Sequence, residues 1–144
     1  MPIAALVTWV ITASFGSFML IRWASRGGLR RGGAAATHFS RARVFTHFGL
    51  AAGGLVVWVA YLVTDRSLLA WIALADLVLV ASLGALLVTR WAKDGRAAMR
   101  GSPAPDGLEL AEQQISRPPV LLHGIFAVST VVLVLLSALG VGEA

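Results

Sequence analysis

Residues 68–89 of the chain read LLAWIALADLVLVASLGALLVT, an apolar run in which Asp76 is the only charged residue. A helix needs about 20 mostly apolar residues to cross the hydrocarbon core of a bilayer. Three further stretches meet this requirement, so the sequence predicts transmembrane spans over residues 2–21, 44–63, 68–89 and 120–141. We therefore expect an all-α, polytopic membrane protein whose 144 residues form a single four-helix transmembrane domain.

The composition agrees with a membrane location. Hydrophobic residues make up 58% of the chain and charged residues only 13%, whereas a soluble domain has about 25% charged residues. The absence of cysteine excludes disulfides, thiolate metal sites and thiol catalysis. The net charge of +5 does not indicate a nucleic-acid partner, because the basic residues lie between the apolar runs and not on a solvated face.

The distribution of basic residues predicts the orientation. Six arginines and no acidic residue fall in residues 22–43, five basic residues fall in residues 90–119, and Arg66 alone lies between the second and third spans. Lys and Arg are retained on the cytoplasmic side of membrane proteins. We expect cytoplasmic loops at 22–43 and 90–119, both termini outside, and a location in the cytoplasmic (inner) membrane of a bacterium. The bilayer itself and its anionic headgroups are then the partners of the two basic loops.

Two histidines fall at the same predicted depth. His47 follows Arg43 by four residues and His123 follows Arg117 by six, at the cytoplasmic ends of the second and fourth spans. Both imidazoles should lie about 6–9 Å into their helices. Two such imidazoles can ligate one haem iron. The cores of helix bundles commonly host such cofactors. Arg43 and Arg117 would then stand where haem propionates seek bidentate partners.

Small residues follow each histidine along its helix. The positions one and two turns beyond the histidines share their faces and carry Ala51, Gly54, Ala127 and Thr130. This strip would leave room for a flat macrocycle, with further slack at Gly49 and Gly124. An alternative interpretation is purely structural, because small residues are common at helix contacts in membranes and a histidine can simply bond a carbonyl or water.

Asp76 lies near the middle of the third span, where an ionisable side chain is costly unless it is supported. One interpretation is a proton-relay or substrate-binding carboxyl in a small proton-coupled transporter. The other is a protonated packing residue or a contact with another subunit.

The segments Thr46-His47-Phe48-Gly49 and Leu122-His123-Gly124 resemble the ligand segments of small four-helix membrane b-type cytochromes of the cytochrome b561 kind. The resemblance covers two short segments. It implies one haem b near the cytoplasmic face, His47 and His123 as its ligands, and a role in electron transfer, alone or as the membrane subunit of a redox complex. Those families usually carry two histidine pairs, whereas this sequence has one. The chain also resembles small actinobacterial integral membrane proteins.

A third functional class is a non-catalytic accessory or assembly subunit, with other membrane subunits or further copies of the chain as partners. Small residues suited to close helix contacts are Gly16, Ser17, Gly53, Gly54, Ser82 and Gly84. We do not expect an enzyme acting by itself, because no nucleophile has a base and an orienting acid at a suitable spacing. His38 is expected on a cytoplasmic loop without a role. Residues 106–115 are expected to form either a short amphipathic helix or a solvated linker.

Overall fold

Four long helices account for most of the computed structural model, which describes residues 1–30, 37–101 and 110–141. They are α1 (Pro2–Trp23), α2 (Arg41–Thr64), α3 (Ser67–Met99) and α4 (Arg117–Ala138). A π-helical turn, Ala24–Gly28, extends α1, and a 3-10 turn, Ala111–Gln114, precedes α4. The described residues contain no strand, and all four helices are long and apolar enough to cross a membrane. The predicted all-α chain with four potential spans is confirmed.

The helix ends follow from local sequence. Prolines stand in the first turns of α1 and α4, where their fixed φ favours a helix and no N–H is needed. α2 ends at Thr64, and the following Asp65 has a left-handed φ of 53°, a conformation that Asp tolerates better than most residues. Arg66 is extended and α3 starts at Ser67. The resulting tight turn makes α2 and α3 an antiparallel pair.

The helices are not identical to the apolar runs that predicted them. α3 continues to Met99, ten residues beyond the predicted end of the third span at Thr89, into the predicted loop 90–119. α2 and α4 each begin three residues before the apolar run, at Arg41 and Arg117. Charged and Ala residues are good helix formers, so the helices extend past the segments that a bilayer would cover.

The four helices pack as two pairs. α1 packs mainly against α4 and α2 mainly against α3, while contacts between the two pairs are fewer. In cross-section the helices follow one another in chain order around the bundle, so that α2 and α4 face each other across its diagonal. We call the end carrying the connections 22–43 and 90–119 the basic end, and the opposite end, with Asp65 and Arg66, the hairpin end.

Aromatic side chains form the core near the hairpin end. Trp58 is fully buried, and its ring centre lies 6.5 Å from that of Trp9 and 4.8 Å from that of Tyr61. Its indole Nε1 donates a hydrogen bond to the carbonyl of Pro2 at 3.3 Å. Burial of this kind makes Trp58 a packing residue that joins α1 to α2.

A small cap covers the basic end. Trp23, Ala111 and Ile115 are buried together, and Leu110 is buried beside them. Trp23 is 2% exposed and donates through Nε1 to Thr37 Oγ1 at 2.9 Å. Of the segment expected to form an amphipathic helix, residues 106–109 lie outside the described residues, and the remainder forms the 3-10 turn that closes the cap.

Candidate functional site

The imidazoles of His47 and His123 meet inside the bundle. Their ring centres lie 6.3 Å apart with an angle of 61° between the planes. His47 belongs to α2 and His123 to α4, so each comes from a different helix pair. The structure therefore brings together the two side chains that the sequence placed at one depth.

Each imidazole is held by a backbone carbonyl of the helix with which its own helix pairs. Nδ1 of His47 lies 2.9 Å from the carbonyl oxygen of Val80 on α3, and Nδ1 of His123 lies 2.9 Å from that of Thr12 on α1. A carbonyl oxygen can only accept, so Nδ1 carries the proton in both rings. Nε2 of each neutral ring is then a bare acceptor, and it has no hydrogen-bond donor among the described residues.

A glycine makes each of these approaches possible. A Cβ on Gly84 would lie 3.1 Å from Cε1 of His47, and a Cβ on Gly16 would lie 3.2 Å from Cε1 of His123. Gly84 follows Val80 by four residues, as Gly16 follows Thr12. Because a helical Cβ points back toward the N-terminus, a side chain at either glycine would cover the carbonyl that its histidine contacts. The same arrangement is thus built twice, once in each helix pair.

The separation of the two rings fits ligation of one metal ion. A metal–imidazole bond is about 2.0–2.1 Å, and the ring centre lies about 1.1 Å beyond the nitrogen, so two imidazoles whose Nε2 atoms both faced one ion from opposite sides would have centres about 6.3 Å apart. Ligating histidines almost always donate their other ring N–H to a carboxylate, a carbonyl or water. Both features are present for His47 and His123.

The strip of small residues beyond the histidines is only partly open. Ala51 and Ala127 are half-buried one turn beyond the ligands. One turn further, Gly54 packs against Trp9, and Thr130 is buried and bonded to Thr8 Oγ1 at 3.0 Å. The bundle is therefore closely packed on the hairpin side of the histidines.

The sequence predicted free space for a ligand at Gly49 and Gly124, but the glycines beside the imidazoles are different ones. Both glycines are exposed, and a Cβ on either would meet nothing within 4 Å. Gly49 follows His47 by two residues and so lies on the opposite face of α2. The glycines that make room for the imidazoles are Gly16 and Gly84, on the neighbouring helices. No signal within the histidine segments indicates them.

The two predicted propionate partners stand at the basic end. Arg43 is half-buried in the first turn of α2, one turn before His47, and Arg117 is exposed at the first residue of α4. Neither forms an ion pair with an acidic residue in the described part of the chain.

Asp76 lies between α3 and α2, on the hairpin side of the histidines. Its carboxyl contacts Gly54. Because Gly54 has no Cβ, the carboxyl fills the space that a side chain there would occupy. Oδ2 of Asp76 is buried and has no hydrogen-bond partner within the described residues. This oxygen is thus buried without the polar support that a buried carboxyl oxygen normally has.

Three of the glycines considered for contacts with other subunits face side chains within the bundle. Gly16 faces His123, Gly84 faces His47, and Gly54 faces Asp76. Their small size serves contacts within the chain. Gly53 and Ser82 are exposed.

A second group of polar side chains, which the sequence did not indicate, lies in the cap. Ligand atoms of His38, Asp94 and Glu112 all fall within 4.8 Å of one another. Residues far apart in the chain supply them, so no local spacing signals the cluster.

Comparisons of the chain with protein-family models, with curated proteins and with solved structures found no match.

Proposed function

We propose that the chain is a mono-haem b-type membrane cytochrome in which His47 and His123 would hold the haem iron, with electron transfer as its function. One observation supports this most strongly. Two imidazoles from different helix pairs have ring centres 6.3 Å apart, each with Nδ1 anchored to a carbonyl and with no hydrogen-bond donor to Nε2 among the described residues. Haem supplies one-electron chemistry when it is bound.

The residues of the chain have distinct roles in this proposal. The carbonyls of Val80 and Thr12 fix the tautomer and orientation of the imidazoles, which raises their basicity as ligands. Gly54 and the buried Thr130 close the bundle on the hairpin side of the ligands. The guanidinium groups of Arg43 and Arg117 bind carboxylates at the basic end and lower the cost of placing negative charge there.

A titration of the purified protein with haem tests the proposal. Wild type should take up one haem per chain with a Soret band and low-spin visible bands. His47→Ala and His123→Ala should each abolish the six-coordinate spectrum. The chain has only three histidines, so His38→Ala is the matched control and should bind haem as wild type does. Equal spectra from all three variants would refute the ligand assignment.

We further propose that the bundle lies in the cytoplasmic membrane with the basic end inside and both termini outside. The chain lacks cysteine, so single-cysteine variants report topology directly. Ser67→Cys, at the hairpin end, should react with a membrane-impermeant maleimide on intact spheroplasts. Ser25→Cys, exposed at the basic end, should react only after lysis. The reverse labelling pattern would contradict the orientation.

One observation favours a second candidate function, a proton-coupled transporter that uses Asp76. The buried Oδ2 without a partner is the feature expected of a carboxyl that exchanges a proton. Proteoliposomes containing wild type should then show proton uptake that Asp76→Asn abolishes. Equal proton fluxes in the two would eliminate this function and leave the cytochrome proposal unaffected.

A further inference from the structure

The cap at the basic end joins three distant segments through one carboxylate. Glu112 belongs to the 3-10 turn before α4 and is 0% exposed. Its Oε1 accepts from the backbone N–H of His38 at 2.6 Å, and its Oε2 lies 2.6 Å from Oγ1 of Thr37. On the other side, Nδ1 of His38 lies 3.2 Å from Oδ2 of Asp94 near the end of α3.

The hydrogen bonds of Thr37 indicate that Glu112 accepts a hydrogen bond at both carboxyl oxygens. The hydroxyl of Thr37 accepts from Nε1 of Trp23 at 2.9 Å and from the N–H of Phe39 at 3.0 Å. A hydroxyl has two acceptor sites and one hydrogen, so that hydrogen goes to Oε2 of Glu112. Both carboxyl oxygens therefore receive donors, which is the pattern of a carboxylate anion.

No compensating cation accompanies this buried anion in the part of the chain that the structure describes. Within the described residues, no Lys or Arg nitrogen lies within 4 Å of Glu112, and the only arginine in the cluster, Arg90, pairs with Asp94. Arg90 is nearly half exposed, and exposed ion pairs contribute little. A buried charge is costly unless it is paired or coordinates a metal. Two carboxylates with a single surface arginine leave negative charge that a bound cation would balance.

We propose that His38, Asp94 and Glu112 form a binding site for a divalent transition-metal ion, of the class that takes mixed imidazole and carboxylate ligands. Zn²⁺ is the representative, because it accepts both ligand types and three protein ligands leave it an open position. Ligand atoms on a tetrahedral ion lie about 3.4 Å apart, whereas those of the cluster lie within 4.8 Å. The exposed His38 side chain can close this gap by rotating.

The ion would tie the residues before α2, the end of α3 and the turn before α4 into one unit. It would also neutralise the buried carboxylate that holds Thr37 and Trp23 in place. This site is separate from the histidine pair and does not depend on the cytochrome proposal.

Zinc binding to the chelator-treated full chain in detergent tests the inference. Calorimetric titration should show one equivalent of Zn²⁺ that is lost, or weakened at least about tenfold, in both His38→Gln and Asp94→Asn. His38 is exposed, so its substitution leaves the buried carboxylate and the fold in place. Asp65→Asn, which removes an exposed carboxylate at the hairpin end, is the control and should keep the equivalent.

Zinc could also bind at the histidine pair, and His47→Ala distinguishes the two sites. This variant should still bind the one equivalent of Zn²⁺ that His38→Gln loses. Zinc should also raise the thermal unfolding temperature of wild type and leave that of His38→Gln unchanged. The inference is overturned if wild type binds no Zn²⁺, or if His38→Gln and Asp94→Asn bind it as wild type does.

Discussion

Replacing Gly84 with alanine tests the way in which the histidines are positioned. The added Cβ would lie 3.1 Å from Cε1 of His47, whereas ordinary contacts lie at 3.4–4 Å. The imidazole must therefore move by at least about 0.3 Å, away from a carbonyl with which it now makes a 2.9 Å hydrogen bond. A neutral hydrogen bond contributes about 0.5–1.5 kcal/mol, and loss of a ligand's outer partner typically costs 10–100-fold in metal affinity. We expect Gly84→Ala to bind haem about tenfold more weakly, equivalent to about 1.4 kcal/mol.

The control is Gly53→Ala on α2, where a Cβ would meet nothing within 4 Å. Both substitutions gain the same helix propensity, about 1 kcal/mol, so a difference between them reports the steric effect alone. Haem affinity is measured from the Soret band during titration of the purified apoprotein. Gly16→Ala should resemble Gly84→Ala because it disturbs His123 in the same way. Equal haem affinities for Gly84→Ala and Gly53→Ala would refute the positioning argument.

The other predictions concern the surroundings of the site. Gly54→Ala should lower the free energy of unfolding by about 1–3 kcal/mol, because the added methyl group overpacks against Asp76. The loss should be smaller when Asp76 is also replaced by Ala. Additive effects in a double-mutant cycle of thermal unfolding would contradict this contact. Thr37→Val should loosen the cap, since a buried group left without its partner costs about 1–3 kcal/mol; unchanged amide hydrogen exchange in the cap would argue against it. Arg43→Gln combined with Arg117→Gln should lower the haem midpoint potential by roughly 20–60 mV, because positive charge favours the reduced iron; an unchanged potential in a redox titration would place the propionates elsewhere.

The fold was predictable because its signal is local. Each long helix contains an apolar run such as residues 68–89, and the helices differ from those runs mainly at polar ends. The end of α3 at Met99 was missed because charge bounds a membrane span but does not stop a helix. The meeting of His47 and His123 was also accessible, since depth along two helices follows from residue counts and helix rise.

The remaining parts of the site depend on how the helices are rotated and shifted against one another. Glycines are common in membrane helices, so nothing in the sequence distinguishes Gly84, which admits an imidazole, from Gly53, which faces outward. The contact of Asp76 with Gly54 has the same origin. The cap was missed because Glu112 meets Thr37 across 75 positions of the chain, and hydropathy gives no information on such a pairing.

The visible spectrum of the protein purified from haem-supplied cells, oxidised and then reduced with dithionite, tests the central claim most directly. The proposal predicts a Soret band and, on reduction, sharp α and β bands of a low-spin iron with two imidazole ligands, at one haem per chain. A featureless visible spectrum at full haem supply, or a high-spin spectrum that persists in His47→Ala, would contradict it.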